Sequence, residues 1–267
     1  MSELYKQVVE EATDEATKLL PQVYEDIAQP AAKEIGSILG RSTRALLSPV
    51  RGLLWGWEKI ESAIIEGVER RLERIPEENR KTPDPEIAVP LMQAFTYTAQ
   101  NETLREMYLN LLANSMDISQ EKNVHPSFVE IIKQMNSLDA KLFQILSRNE
   151  GYIKAVNPNV SIVDQGKCFM RAVPEWFLGW TIEGYDIFQI SASLIRLGRL
   201  GIVKLMFDRT AGKDGYEQLM QNPILIKILN SYKAANPTLN LAITGINSIL
   251  YVNEFGKQFA KSCLPSK

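Results

Sequence analysis

His125 is the chain's one histidine, and it stands directly before Pro126 in the stretch "NVHPSFVEIIKQMNSLDAKLF", residues 123–143. An imidazole changes charge near neutral pH, so a general base or a metal ligand is the first chemistry to weigh. A zinc ion needs three or four ligands. Cys168 and Cys263 lie far along the chain, so the remaining ligands would be the carboxylates Asp117, Glu121 and Glu130. Ser127 and Glu130, however, fit the S-x-x-E pattern of a capping box. There the serine hydroxyl accepts from the Glu130 N–H, and the carboxylate reaches back to the Ser127 N–H. That commits Glu130 to a helix start and leaves His125 and Pro126 just outside it. A histidine packed at a helix entrance, bonded to a nearby carbonyl, accounts for the residues on both sides.

Three other groups carry chemistry-bearing side chains. Glu77, Glu78, Asp84 and Glu86 form the densest carboxylate group, in a stretch with four prolines, "IPEENRKTPDPEIAVP". Paired-carboxylate work or Mg²⁺ binding is one use for them, and a solvated proline-rich loop is the other. Gln189, Ser193, Arg196 and Arg199 recur at helical spacing and could line the outer side of one helix, where a DNA-binding winged helix enters the major groove. Arg41, Arg44 and Arg51 stand in a stretch from Ile35 to Trp57 that has no acidic residue before Glu58. With Trp55 and Trp57, Arg51 offers an interfacial anchor or a subunit contact, since indole rings favour both settings. Phosphate-binding glycine loops and the G-x-S-x-G nucleophile turn are absent from the sequence, and no cofactor is expected.

The elements that must position these groups are mostly helices. The amino-terminal "MSELYKQVVEEATDEA" is acidic and amphipathic and lacks the basic and apolar regions of a signal peptide. Leu4, Val8, Ala12, Ala16, Leu19 and Val23 share one helical face. Ser48 and Pro49 open a helix whose apolar side runs from Val50 through Leu72, with Trp55 among the polar groups. Helices are expected from about Pro85 to Thr98 and over "TLREMYLNLLANSM", with Thr103 and Glu106 as a capping box and Leu104, Tyr108, Leu111, Leu112 and Met116 buried. Ser137 is expected to cap the next helix.

The last third changes character. Asp186 and Gln189 form a capping box for a helix that stops at Gly201. "IVKLMF" reads as a strand, "YEQLMQNPILIKILNSYKAA" as helix around Pro223, and "LNLAI" and "ILYV" as two strands of a ribbon. Asn253 caps a final helix with Phe255, Phe259 and Cys263 on one side. The fold class expected is mainly α: amphipathic helices over 1–75, a central helical core over 76–150, and a winged-helix-like module with a small β-sheet over 151–267.

The chain has 267 residues, is 45% hydrophobic and 23% charged, and carries a net charge of −2. A sizeable core follows, and wholesale nucleic-acid affinity does not. Two distant cysteines without a CxxC read as reduced thiols, and no apolar run approaches the ~20 residues a spanning helix needs. A cytoplasmic protein is expected, with peripheral attachment at the inner membrane face as the alternative.

Three phrases, "IPEENRKTPDPEIAVP", "LREMYLNLLANSMD" and "VHPSFVEIIKQMNSLDAKLF", together resemble the abortive infection alpha (Abi-alpha) family. The likeness covers about residues 35 to 148, with a looser match at the carboxyl end. Its recurrent positions are Pro76, Glu77, Pro83, Pro90, Leu104, Arg105, Leu111, Leu112, Met116, His125, Pro126, Ser127, Phe128 and Leu138, while Leu109 stands where a smaller side chain is expected. The resemblance implies a mostly helical bacterial protein with a phage-defence role, and brings no catalytic residues with it. The leading expectation is a non-enzymatic defence protein acting through a protein partner, self-association or a membrane surface. A winged-helix DNA-binding regulator using Gln189, Ser193, Arg196 and Arg199 is second. A hydrolase or nuclease built on His125 with Glu77 or Glu130 is third.

Overall fold

The computed structural model describes residues 66–98, 101–165, 169–170 and 173–265. They are mainly helical, with one small antiparallel sheet. The chain divides into two compact units. One is residues 1–135 with 261–267, and the other is 136–260.

In the first unit a helical segment over 66–72 leads to a single 3-10 turn, Glu77–Asn79. Helices α1 (Pro85–Thr98), α2 (Glu102–Ser115) and α3 (Ser127–Lys133) follow and pack on one another. Val68, Leu72 and Ile75 are buried and Glu66, Glu69 and Glu73 exposed, as the apolar stripe requires. Leu104, Tyr108, Leu111, Leu112 and Met116 all lie inside, as their spacing predicts. Leu109 is buried too, and Gly67 makes the room for it. A Cβ on Gly67 would stand 2.6 Å from Leu109 Cδ1. The start of α2 differs from the expected Thr103/Glu106 box. Asn101, two residues earlier and extended in its backbone, is the cap, accepting from the Leu104 N–H.

The second unit opens with α4 (Ser137–Leu146) and continues through β1 (Ile153–Ile162), β2 (Phe169–Met170), α5 (Ile187–Arg199) and β3 (Val203–Met206). It closes with α6 (Tyr216–Met220), α7 (Pro223–Ala235), β4 (Leu241–Val252) and α8 (Glu254–Cys263), whose last turn belongs to the first unit. The strand order is β2-β1-β4-β3, every pair antiparallel. β1 pairs with β4 from Ile153↔Leu250 to Ile162↔Leu241, and β3 pairs with the far end of β4 from Val203↔Val252 to Met206↔Ile249. The core under the sheet joins Val156, Val160, Leu241 and Ile249 to Tyr216 of α6 and to Leu225 and Leu229 of α7.

Two strand features depart from the sequence reading. "LNLAI" and "ILYV" are not two strands of a ribbon but the ends of one continuous strand, β4. Thr244-Gly245 looks like a turn, yet Gly245 lies flat against β1, where a Cβ would meet Asn157 O at 2.4 Å. β1 itself went unread because Asn157-Pro158 breaks its pattern. Val156 exchanges both backbone hydrogen bonds with Phe177, at 3.0 and 2.9 Å, so its N–H points away from β4. Pro158, two residues on, has its nitrogen on that same side, where β4 asks for no donor.

The capping boxes behave unevenly. Asp186 and Gln189 form the expected box at α5, and Asn253 caps α8 through the Gly256 N–H at 2.8 Å. α5 ends before Gly201, whose φ is +77°. Pro223 stands at the first turn of α7 and divides the expected helix in two. At α4 the cap is Asn136, not Ser137, and Asp139 completes the box.

Candidate functional site

The His125 region is a helix start. Pro126 already has helical angles (φ −56°, ψ −36°), so Ser127 lies inside the first turn of α3 and cannot serve as its cap. The imidazole takes that place. His125 Nδ1 accepts from the Ser127 N–H at 3.1 Å and lies 2.7 Å from Ser127 Oγ. The ring leans on Phe128 with centroids 5.9 Å apart. An Nδ1 that accepts a backbone N–H carries no proton, so the neutral ring has its proton on Nε2. Glu130 does not reach back to Ser127. Its carboxylate lies 3.5 Å from Lys133 Nζ.

The proline-rich carboxylates are likewise structural or solvated. Pro76 precedes the turn Glu77–Asn79, and Pro76 O accepts from the Asn79 N–H. Glu77 and Glu78 are exposed, and Asp84 accepts the Glu86 N–H at 3.0 Å where α1 begins. Lys81 bonds Glu121 at 2.8 Å and holds that exposed carboxyl below its ordinary range. Among the described residues no three His, Cys, Asp or Glu side chains gather within reach of one metal ion.

The most committed polar cluster lies between α4 and α5. Asp139 is fully buried. Its Oδ1 accepts from Ser193 Oγ at 2.6 Å, and the Arg196 guanidinium grips both oxygens at 2.9–3.1 Å. Oδ2 also accepts the Asn136 N–H at 3.0 Å, completing the capping box. Both carboxylate oxygens are thereby taken up by donors. Ser193 spends its proton on the carboxylate, so the trio clamps two helices together and has no activated nucleophile. A helix start here was legible, though with Ser137 in place of Asn136 as its cap. The partner of Asp139, 57 residues on, was not, because a buried ion pair has no local signature in sequence.

The four residues expected on an outward α5 face therefore separate. Ser193 is buried, and Arg196 is half-buried against Asp139. Gln189 is exposed and uses Oε1 to accept the Asp186 N–H. Arg199 is exposed. What α5 turns outward besides is apolar: Phe188 at 49% exposure, Ala192, and Ile195 at 40%.

In the first unit, two asparagines one helical turn apart hold the carboxyl end. Asn110 Nδ2 donates to Cys263 O at 3.0 Å, and Asn114 Nδ2 to Ser262 O at 2.9 Å, satisfying carbonyls that the end of α8 leaves open. Arg71 donates to Asn110 Oδ1, to Gly67 O and to Glu106, which fixes the asparagine's orientation. Sequence reading passed over Asn110 and Asn114 inside "YLNLLANS", although two asparagines four apart on one helix were a visible hint. The Tyr108 hydroxyl is buried with no hydrogen-bond partner among the described residues, and burial pushes its pKa up. Burial likewise holds the Cys263 thiol well above its ordinary range, which makes it inert. Arg51, Trp55, Trp57 and Cys168 lie outside the described residues. Among those described, no helix is long and apolar enough to cross a membrane.

Compared with known proteins, residues 56–263 match the family model for abortive infection alpha. No curated protein and no solved structure matches the chain. The family match spans most of the sequence, and the chain belongs to the abortive infection alpha family.

Proposed function

We propose that this chain is a non-enzymatic abortive-infection protein that acts by contacting another protein through its second unit. Family membership supports the defence role. The observation that carries the rest is the split of α5. Ser193 and Arg196 turn inward to Asp139, while Phe188, Ala192 and Ile195 face out. A helix that reads duplex DNA presents polar and basic side chains to base edges and phosphates. An apolar outward row suits a protein surface instead.

The order α4, β1, α5, β3, β4 and the strand sequence β1-β4-β3 support reading the second unit as a winged-helix-like module. In that reading α6 and α7 are inserted in the wing, and the module is used for contact. The experiment is survival of an infected culture. Ile195→Glu, which alters an exposed side chain, is expected to abolish protection while melting with the wild type. Full protection by that variant contradicts the proposal.

A further inference from the structure

We infer that the outward stripe of α5 docks a second copy of this chain, helix against antiparallel helix, about a two-fold axis at Ala192. This rests on the contact reading above and names the contacting partner. At about 100° per residue, positions 188, 192, 195 and 199 fall within about 60° of one another. Ile187, Ile190, Leu194 and Leu197 are buried on other faces. The outward row thus reads Phe188, Ala192, Ile195, Arg199, with Asp186 at its start.

The order of that row fits its own reverse. With Ala192 opposite the copy's Ala192, Phe188 lies four residues before the axis and Ile195 three after it, so each Phe188 meets the copy's Ile195. Asp186 and Arg199, six before and seven after, bring opposite charges together at both ends. Both residues are exposed. Asp186 caps α5 through Oδ1, which accepts the Phe188 and Gln189 N–H groups, and offers Oδ2 to the guanidinium. A parallel pairing would set Asp186 against Asp186 and Arg199 against Arg199, so charge selects the antiparallel one. The alanine at the crossing lets the two axes approach to the close end of the usual ~8–10 Å range. The two helix dipoles also oppose in that arrangement.

Sedimentation of the full chain tests this, together with oxidative cross-linking. The wild type is expected to sediment as a dimer at high micromolar concentration, and Ile195→Glu as a monomer with an unchanged circular dichroism spectrum. Ala192→Cys is expected to give a disulfide-linked dimer under mild oxidation. Arg199→Cys is expected not to, since the two positions 199 lie on the order of 20 Å apart across the axis. A monomeric wild type overturns the inference. So does a dimer that survives Ile195→Glu, or one that links through Arg199→Cys as readily as through Ala192→Cys. Protection of infected cultures separates this from the broader reading. A monomeric wild type whose protection is still lost on Ile195→Glu overturns self-association alone. A monomeric wild type whose Ile195→Glu variant still protects overturns both.

Discussion

Asp139 shows how one side chain serves two structural tasks. It completes the cap of α4 and anchors α5 through Ser193 and Arg196. Removing it leaves a half-buried guanidinium without its partner, so Asp139→Ala is expected to cost roughly 3–5 kcal/mol in urea unfolding. Adding Arg196→Met should recover part of that loss, because an apolar pair needs no compensation for charge. Arg196→Lys should not substitute for arginine, since a lysine offers a single point charge where the fork bonds both oxygens. Cys263 carries a pH dependence whose sign is fixed by burial. Its thiol is held protonated in the fold. Below the ordinary cysteine pKa of about 8.5 both folded and unfolded chains keep the proton, and its contribution is complete. Above that value the unfolded chain loses the proton first, so stability falls as pH rises. Unfolding measured from pH 7 upward should show this decline, and Cys263→Ala should flatten it.

At the scale of elements, glycines set the closest approaches. A Cβ on Gly256 would stand 2.0 Å from Ile202 O, a backbone atom that cannot swing aside. Gly256→Ala is therefore expected to lower stability by more than about 2 kcal/mol, read from the thermal midpoint. Gly67 presses on a movable side chain, Leu109, so Gly67→Ala should cost less, and Leu109→Ala in the same chain should relieve part of it. The helices were legible because a 3.6-residue period survives local noise. Pro85–Thr98 and Glu102–Ser115 were found close to their observed limits. Caps were legible only where side chain and backbone agree. Asp186 and Asn253 act as read, whereas at α3 the helical angles of Pro126 hand the cap to His125. Strands were less legible, since pairing is non-local. Pro158 and Gly245 look like breaks until the neighbouring strand explains them. Of the candidate residues, spacing alone placed Gln189, Ser193, Arg196 and Arg199 on one helix, but which of them face water depends on Asp139.

For the molecule as a whole, the polar landmarks of the sequence start and stop helices, tie elements together and cap the carboxyl end. His125 orders α3, Asp139 clamps α4 to α5, and Asn110 with Asn114 receives the end of α8. In the function proposed above, defence falls to surfaces and no bond-breaking group is assigned. The most direct measurement is phage plating efficiency on cells expressing the double variant His125→Ala, Ser127→Ala at wild-type levels. The two residues form a serine–imidazole pair among the described residues, and replacing them removes a cap worth about 1 kcal/mol. Protection equal to the wild type is the expected result. Loss of protection by a double variant that remains folded, with its melting temperature lowered only slightly, would show that this imidazole and hydroxyl do chemistry, and would contradict the account.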